Sequence, residues 1–222
     1  MAEPPYVALI GDVVSSRRQE DRARFQSHLL DWTRELSEEL GPARLAAPLV
    51  LTAGDECQAL FRKPGWIVHV VQELTDRLFG SAGFPPLVFG VGRGTITTGP
   101  LPAPPEQASN PALLDGSCFH AAREALREAR SRRVWVRFLG FGRERDQTLN
   151  ALFDLMGAVR ARWTAKQGAC SYQSRLHDTQ KEVALLRGIR PSVVSESLKA
   201  AHHETILAGE DAAFALLSGR EK

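Results

Sequence analysis

No stretch of this chain approaches the ~18 uninterrupted apolar residues that a membrane span needs, which excludes an embedded helix. Cysteine is scarce. Cys57, Cys118 and Cys170 are odd in number and widely spaced, so neither a disulfide framework nor a paired zinc-ligand pattern is present, and reduced thiols of a cytoplasmic protein are expected. Charge of one sign is lacking as well: 28 Lys and Arg against 26 Asp and Glu leave +2, so any contact with nucleic acid must be local rather than a cationic coat. The first residues, Met1-Ala-Glu-Pro-Pro5, have neither a basic nor an apolar leader segment, and export is not expected. No serine or cysteine stands in a nucleophile pattern. What the chain does have is 222 residues at 43% hydrophobic content, enough for one large core or two small ones.

Residues 6–10 form an apolar run ended by Gly11-Asp12, which suits a buried central strand. Phe25, Leu29, Trp32, Leu36 and Leu40 recur at three- and four-residue steps and predict a helix over 20–40. Residues 49–52 and 58–61 read as two strands around the turn Ala53-Gly54-Asp55-Glu56-Cys57. Ile67, Val70, Val71, Leu74 and Leu78 mark a second helix, and residues 87–91 a fourth strand. The order is βαββαβ, so the fold expected is α+β with a ferredoxin-like domain over residues 1–140. Residues 99–111 carry five prolines and read as an arm or lid. A further helix at 119–129 and an added strand at 134–138 close the domain. Gly90, Gly92 and Gly94 match no phosphate-cradling spacing and are explained better by close backbone packing.

Gly140-Phe-Gly142 is the expected boundary, and residues 146–222 read as an all-α domain. Leu149, Leu152, Phe153, Met156, Val159 and Trp163 make one stripe. Residues 179–199 then read as a helix-turn-helix. Thr179 and Glu182 form a capping box, Gly188 suits a left-handed helix end, and Pro191 opens the second helix with its φ already set. Val193, Val194 and Leu198 are the expected anchors of the second helix. Arg190, Ser192, Ser195, Glu196 and Lys199, with Lys181 from the first helix, are the residues expected to meet double-stranded DNA. Between residues 160 and 199 there are eight Lys or Arg and three acids, a plausible phosphate-facing patch. Arg187 stands where such motifs usually carry an apolar residue, and His202-His203 is expected on a helix surface.

In a βαββαβ sheet the first strand lies beside the third, which brings Asp12 towards the turn holding Asp55. Two carboxylates converging there, with Glu56 as a further ligand or a neighbour ordering the turn, could hold Mg²⁺ or Mn²⁺ and through it a nucleotide's phosphates. Turn chemistry explains the same residues without a metal, since Asp bonds to nearby backbone N–H groups. Arg17 and Arg18 follow Asp12 closely and could grip phosphate.

Four ordered motifs resemble the SatD family of bacterial proteins over nearly the full length: Gly11-Asp12-Val-Val-Ser-Ser-Arg17, Thr52-Ala-Gly54-Asp55-Glu56-Cys-Gln58, Phe89-Gly90-Val-Gly92-Arg-Gly94-Thr-Ile, and Asp115-Gly116-Ser-Cys-Phe119-His120-Ala-Ala-Arg123. The same segments resemble, more distantly, the palm of class III nucleotidyl cyclases. That resemblance implies two metals on Asp12 and Asp55, and a transition-state arginine at Arg123. The asparagine expected four residues before that arginine is Phe119 here, which argues against ordinary cyclase activity.

The reading is a DNA-binding regulatory protein, expected to be a homodimer, whose palm senses a nucleotide effector through a divalent metal with Arg17 and Arg123 on the phosphates. The alternative is a metal-dependent nucleotidyl cyclase or transferase acting on a nucleoside triphosphate, with Arg123 catalytic.

Overall fold

The computed structural model describes residues 5–14, 22–52, 56–79, 86–98 and 110–219. Strands β1 (Tyr6–Val13), β2 (Leu45–Leu51), β3 (Glu56–Phe61), β4 (Leu87–Gly94) and β5 (Val136–Leu139) make one sheet in the order β2-β3-β1-β4-β5. The helices are α1 (Arg22–Arg44), α2 (Trp66–Phe79), α3 (Ser117–Arg132), α4 (Arg143–Arg160), α5 (Ala165–Leu176), α6 (Gln180–Arg187), α7 (Pro191–Ala200) and α8 (His203–Ser218). The first four strands are antiparallel neighbours, and β5 joins β4 in parallel. This is the α+β, ferredoxin-like βαββαβ arrangement with one strand added.

Side-chain alternation along β1 assigns the two faces. Val7, Leu9 and Val13 point into the larger core with Phe25, Leu29 and Leu36 of α1 and Val70, Val71 and Leu74 of α2. Ala8 and Ile10 point the other way, into a core closed by Phe119, Ala122 and Leu126 of α3. The β4 glycines make that second layer possible. A Cβ on Gly92 would lie 2.2 Å from the backbone nitrogen of Ala122, and one on Gly90 would lie 2.1 Å from the Ala122 carbonyl oxygen. Close packing is thus what Gly90 and Gly92 serve.

An exposed edge strand would present unpaired backbone groups, and α4 covers β5 instead. The Asn150 amide donates to the Phe138 carbonyl at 3.0 Å while its oxygen accepts from the Phe138 N–H at 2.8 Å, the pattern a neighbouring strand would supply. Arg137 reaches Asp154 of α4 through two hydrogen bonds, 2.7 and 3.0 Å. Leu149, Phe153 and Met156 of α4 and Ile206, Ala213 and Leu217 of α8 enter the same core as β1 and α2. Hydrophobic packing therefore runs across the strand-to-helix change at 140–146. The α6–α7 pair has a small core of its own, formed by Cys170, Val183, Ala184, Val194 and Leu198 with Ile189 against it.

Several boundaries differ from the sequence reading. β2 begins at Leu45, directly after α1 breaks at Gly41 (φ 63°), where Pro42 and Pro48 obscure the alternation in the sequence. The strand expected at 134–138 lies at Val136–Leu139, and Val134 packs beside the α3 layer. The expected arm falls mostly on residues 99–109, outside the described residues, and Pro111 opens a short 3₁₀ turn. The surface placement expected for His202-His203 fails for His203, which is buried with its Nδ1 2.9 Å from the Ser171 hydroxyl. Burial, with Arg175 nearby, holds its pKa below the ordinary histidine value. Among the described residues no helix is long and apolar enough to cross a membrane. Cys57, Cys118 and Cys170 are buried free thiols, and burial pushes Cys57 up to about 12 and Cys118 up to about 11, so neither is a nucleophile near neutral pH.

Candidate functional site

Two surfaces gather the residues singled out in the sequence. The first lies at the end of β1. Asp12 and Glu56 are register partners on adjacent antiparallel strands, and both occupy positions alternating with Ile10 and Leu60 on the face that α3 covers. Glu56 Oε1 accepts from the amide of Gln58, itself buried, at 2.5 Å and from the Thr52 hydroxyl at 3.4 Å. Asp12 Oδ1 accepts from the Val13 N–H at 2.9 Å.

α3 lays two arginines across this pair. Arg130 forms an ion pair with Asp12, and Arg123 stands 3.8 Å from Glu56. Spacing of seven places both on one side of the helix, two turns apart. Each guanidinium is about half exposed, so these pairs add little to stability and can open at small cost. Phe119, at the position where the cyclase resemblance requires asparagine, is buried in the sheet–α3 core and has no polar group to offer. His120 is exposed with Nε2 3.5 Å from Asp115. Asp55, Arg17 and Arg18 lie outside the described residues. Among the described residues, no group of three or more His, Cys, Asp or Glu has the arrangement of a metal centre.

The second surface is α6–α7. Thr179 and Glu182 make both bonds of the capping box, at 3.3 Å to the Glu182 N–H and 3.0 Å from the Thr179 N–H. Gly188 is left-handed at φ 62°, and Pro191 is the first residue of α7. Val194, Ser197 and Leu198 turn inward, whereas Val193 is half-buried. Lys181, Arg190, Ser192, Ser195, Glu196 and Lys199 are all exposed. Arg187 is exposed too, which explains why an arginine is tolerated at that place in the turn. The Trp163 indole donates to the Ala201 carbonyl at 2.9 Å and ties the end of α7 to the segment after α4.

Behind this surface lies a buried ionic network that the sequence did not reveal. Asp76 of α2 is 1% exposed and pairs with Arg160 of α4 and with Arg175 of α5 at 3.0 Å. Arg175 also holds Glu210 of α8 through two bonds of 2.7 Å. Burial pushes the Glu210 carboxyl up, and Arg175 partly restrains it. Burial alone would lower Arg175, but Glu210 and Asp76 override it and raise its pKa above the ordinary value. The available signal was α2 itself, where Gln72, Glu73 and Asp76 are polar on a helix with little solvated face.

The model of the SatD family matches residues 6–217. No curated protein matches the chain. Among solved structures, a bacterial light-regulated adenylyl cyclase is similar with a TM-score of 0.46 and 9% identity, over 60% of this chain and 74% of that one. A GGDEF domain from Pseudomonas aeruginosa is similar with a TM-score of 0.38 and 16% identity, over 61% of this chain and 83% of that one.

Proposed function

The chain belongs to the SatD family, and from that premise we propose that it is a DNA-binding regulatory protein whose α6–α7 pair is a helix-turn-helix. The observation that carries this reading is the division of α7 into two sides. Its inner side is anchored by Val194 and Leu198, while Arg190, Ser192, Ser195, Glu196 and Lys199 remain outward and unburied. A short helix held this way, with basic residues at both ends, can lie in a major groove with phosphates flanking it. Lys181 extends the contact from α6. Dimers reading paired half-sites are usual for such motifs, so the binding species is proposed to be a homodimer.

The test is duplex binding by fluorescence anisotropy across a salt series. Wild type is expected to bind with affinity that falls as salt rises, and Arg190→Ala with Lys199→Ala to weaken it about tenfold while lowering the salt slope by about 2. Equal affinity and equal slope for the two proteins would remove the groove assignment.

A second reading is favoured by the Asp12–Glu56 register pair beneath Arg123 and Arg130. A divalent cation would provide the charge that the two guanidiniums now provide, so its arrival on Asp12 and Glu56, with Asp55 next to Glu56 in the sequence, would release both arginines towards phosphate oxygens. On this reading the palm takes a nucleotide through Mg²⁺ or Mn²⁺, either as an effector or as the substrate of a nucleotidyl cyclase or transferase, with Arg17 and Arg123 on the phosphates. Calorimetry with ATP and GTP in Mn²⁺ should show heat in wild type and none in Asp12→Asn. Absence of heat in wild type, or its persistence in the variant, would discard the metal-bridged nucleotide.

A further inference from the structure

At the end of the sheet where β4 and β5 begin, a cavity of about 580 Å³ opens between α2 and α4. Leu78, Leu87, Val134 and Trp135 give it apolar walls, and Arg133 and Arg160 are the basic residues of its lining. The volume lies within the range of small-molecule sites, and a few polar groups among apolar walls is their usual composition.

We propose that this cavity binds a small aromatic molecule carrying one negative charge. Charge accounting selects the anion. Asp154, the carboxylate of the wall, is engaged by Arg137 in two hydrogen bonds, and Arg160 is engaged by Asp76. No ion pair of Arg133 occurs among the described residues, so one positive charge is in surplus. Its backbone supports the same conclusion. Arg133 ends α3 at φ 57°, a left-handed conformation in which glycine or asparagine is the cheaper residue, so the cost of an arginine points to a use for its side chain.

Planarity is selected by Trp135. Its indole nitrogen donates to the Phe153 carbonyl at 2.9 Å, and its ring lies 5.4 Å from that of Phe153. Gly157 leaves the room for it, since a Cβ there would fall 2.7 Å from the indole nitrogen. The Arg160 guanidinium lies over the same ring at 5.2 Å, so the indole is held by Phe153, Gly157 and that cation and needs no reordering when a flat ligand arrives beside it.

The position of the cavity also gives it a route to α7. Arg160 reaches from the wall to Asp76, Asp76 to Arg175, and Arg175 to Glu210 on α8, which packs on α7. An anion competing for Arg160 biases that chain of ion pairs, so the occupant is the effector of the regulator. This effector role rests on the DNA-binding reading above, whereas binding itself does not.

The probes are anilinonaphthalene sulfonate and its neutral relative phenylnaphthylamine, titrated by fluorescence into the full chain without DNA. Wild type should bind one sulfonate per chain. Ala158→Trp, at an exposed helix position on the cavity wall, should abolish binding of both probes. Arg133→Asn, in which asparagine accepts the same backbone, should weaken the sulfonate about tenfold and leave the neutral probe unchanged. Melting curves identify any variant that fails to fold, and Arg133→Asn remains informative if Ala158→Trp does. Unaltered sulfonate binding in a folded Ala158→Trp, or equal weakening of both probes in Arg133→Asn, overturns the site. In a second arm, saturating sulfonate should change wild-type duplex affinity at least threefold. A bound probe with no such change overturns the effector role and leaves both the cavity and the groove assignment standing.

Discussion

Asp76→Ala is expected to destabilise the protein by about 3–5 kcal/mol, the range for breaking a buried ion pair from one side. The carboxylate is almost fully enclosed and answers two guanidiniums, those of Arg160 and Arg175. Removing it leaves Arg160 charged inside the protein beside Trp135 and Trp163, at 5.2 and 4.8 Å from their rings, and cation–π attraction recovers only part of the lost compensation. Arg175 keeps Glu210, so its own charge stays partly compensated. In a chain of this size each kcal/mol moves the melting temperature by roughly 2–4 °C, so a drop of roughly 6–20 °C is expected. Asp76→Asn, which keeps volume but not charge, should fall between the two. Urea unfolding that places Asp76→Ala within about 1 kcal/mol of wild type would show that water or rearrangement already compensates the arginines. Because Asp76 joins α2 to α4 and α5, the loss should also loosen the support behind α7, and duplex affinity should fall with it even though no groove-facing residue has changed.

That network also marks the limit of what the sequence could tell. Local patterns were legible because their causes are local. The Thr179–Glu182 box, the left-handed Gly188 and Pro191 at the start of α7 each depend on residues within a few positions, and all three are found where the sequence put them. The pairing of β1 with β3 was legible through topology, since βαββαβ connections leave few alternatives. The β4 glycines could be read as close packing, though not what they pack against. By contrast, Asp76 and Arg160 are 84 positions apart, and no periodicity announces that two charged side chains will be buried together. His203 was misplaced for the same reason: its partner, Ser171, lies on another helix. At the candidate site the sequence paired Asp12, at a strand end, with Asp55 in the turn and offered Glu56 only as a further ligand or a neighbour, because the ion pairs of Asp12 and Glu56 with Arg130 and Arg123 depend on α3 crossing the sheet. Arg130 was therefore missed. A seven-residue spacing from Arg123 on the same helix was the signal that could have found it.

Gly92→Ala tests that crossing directly and is expected to cost about 3 kcal/mol or more, at or beyond the upper end of ordinary overpacking. Overpacked cores usually recover by rotating a side chain. Here the atoms in the way are backbone: the Ala122 nitrogen at 2.2 Å, the Cys118 carbonyl oxygen at 2.3 Å and the Ala121 carbonyl carbon at 2.7 Å. The whole helix has to lift. Lifting α3 uncovers Phe119 and Leu126 and draws Arg123 and Arg130 away from Glu56 and Asp12, so any metal–nucleotide binding at that end of the sheet should be lost. Duplex binding should survive in the folded fraction, because α6 and α7 rest on Cys170, Val183 and Ala184 rather than on α3. Adding Ala122→Gly to Gly92→Ala should give no rescue, since the clash is with the Ala122 backbone and not its methyl group. Recovery in that double variant, or a Gly92→Ala protein melting within about 2 °C of wild type, would mean that α3 does not lie against the sheet as closely as those distances require.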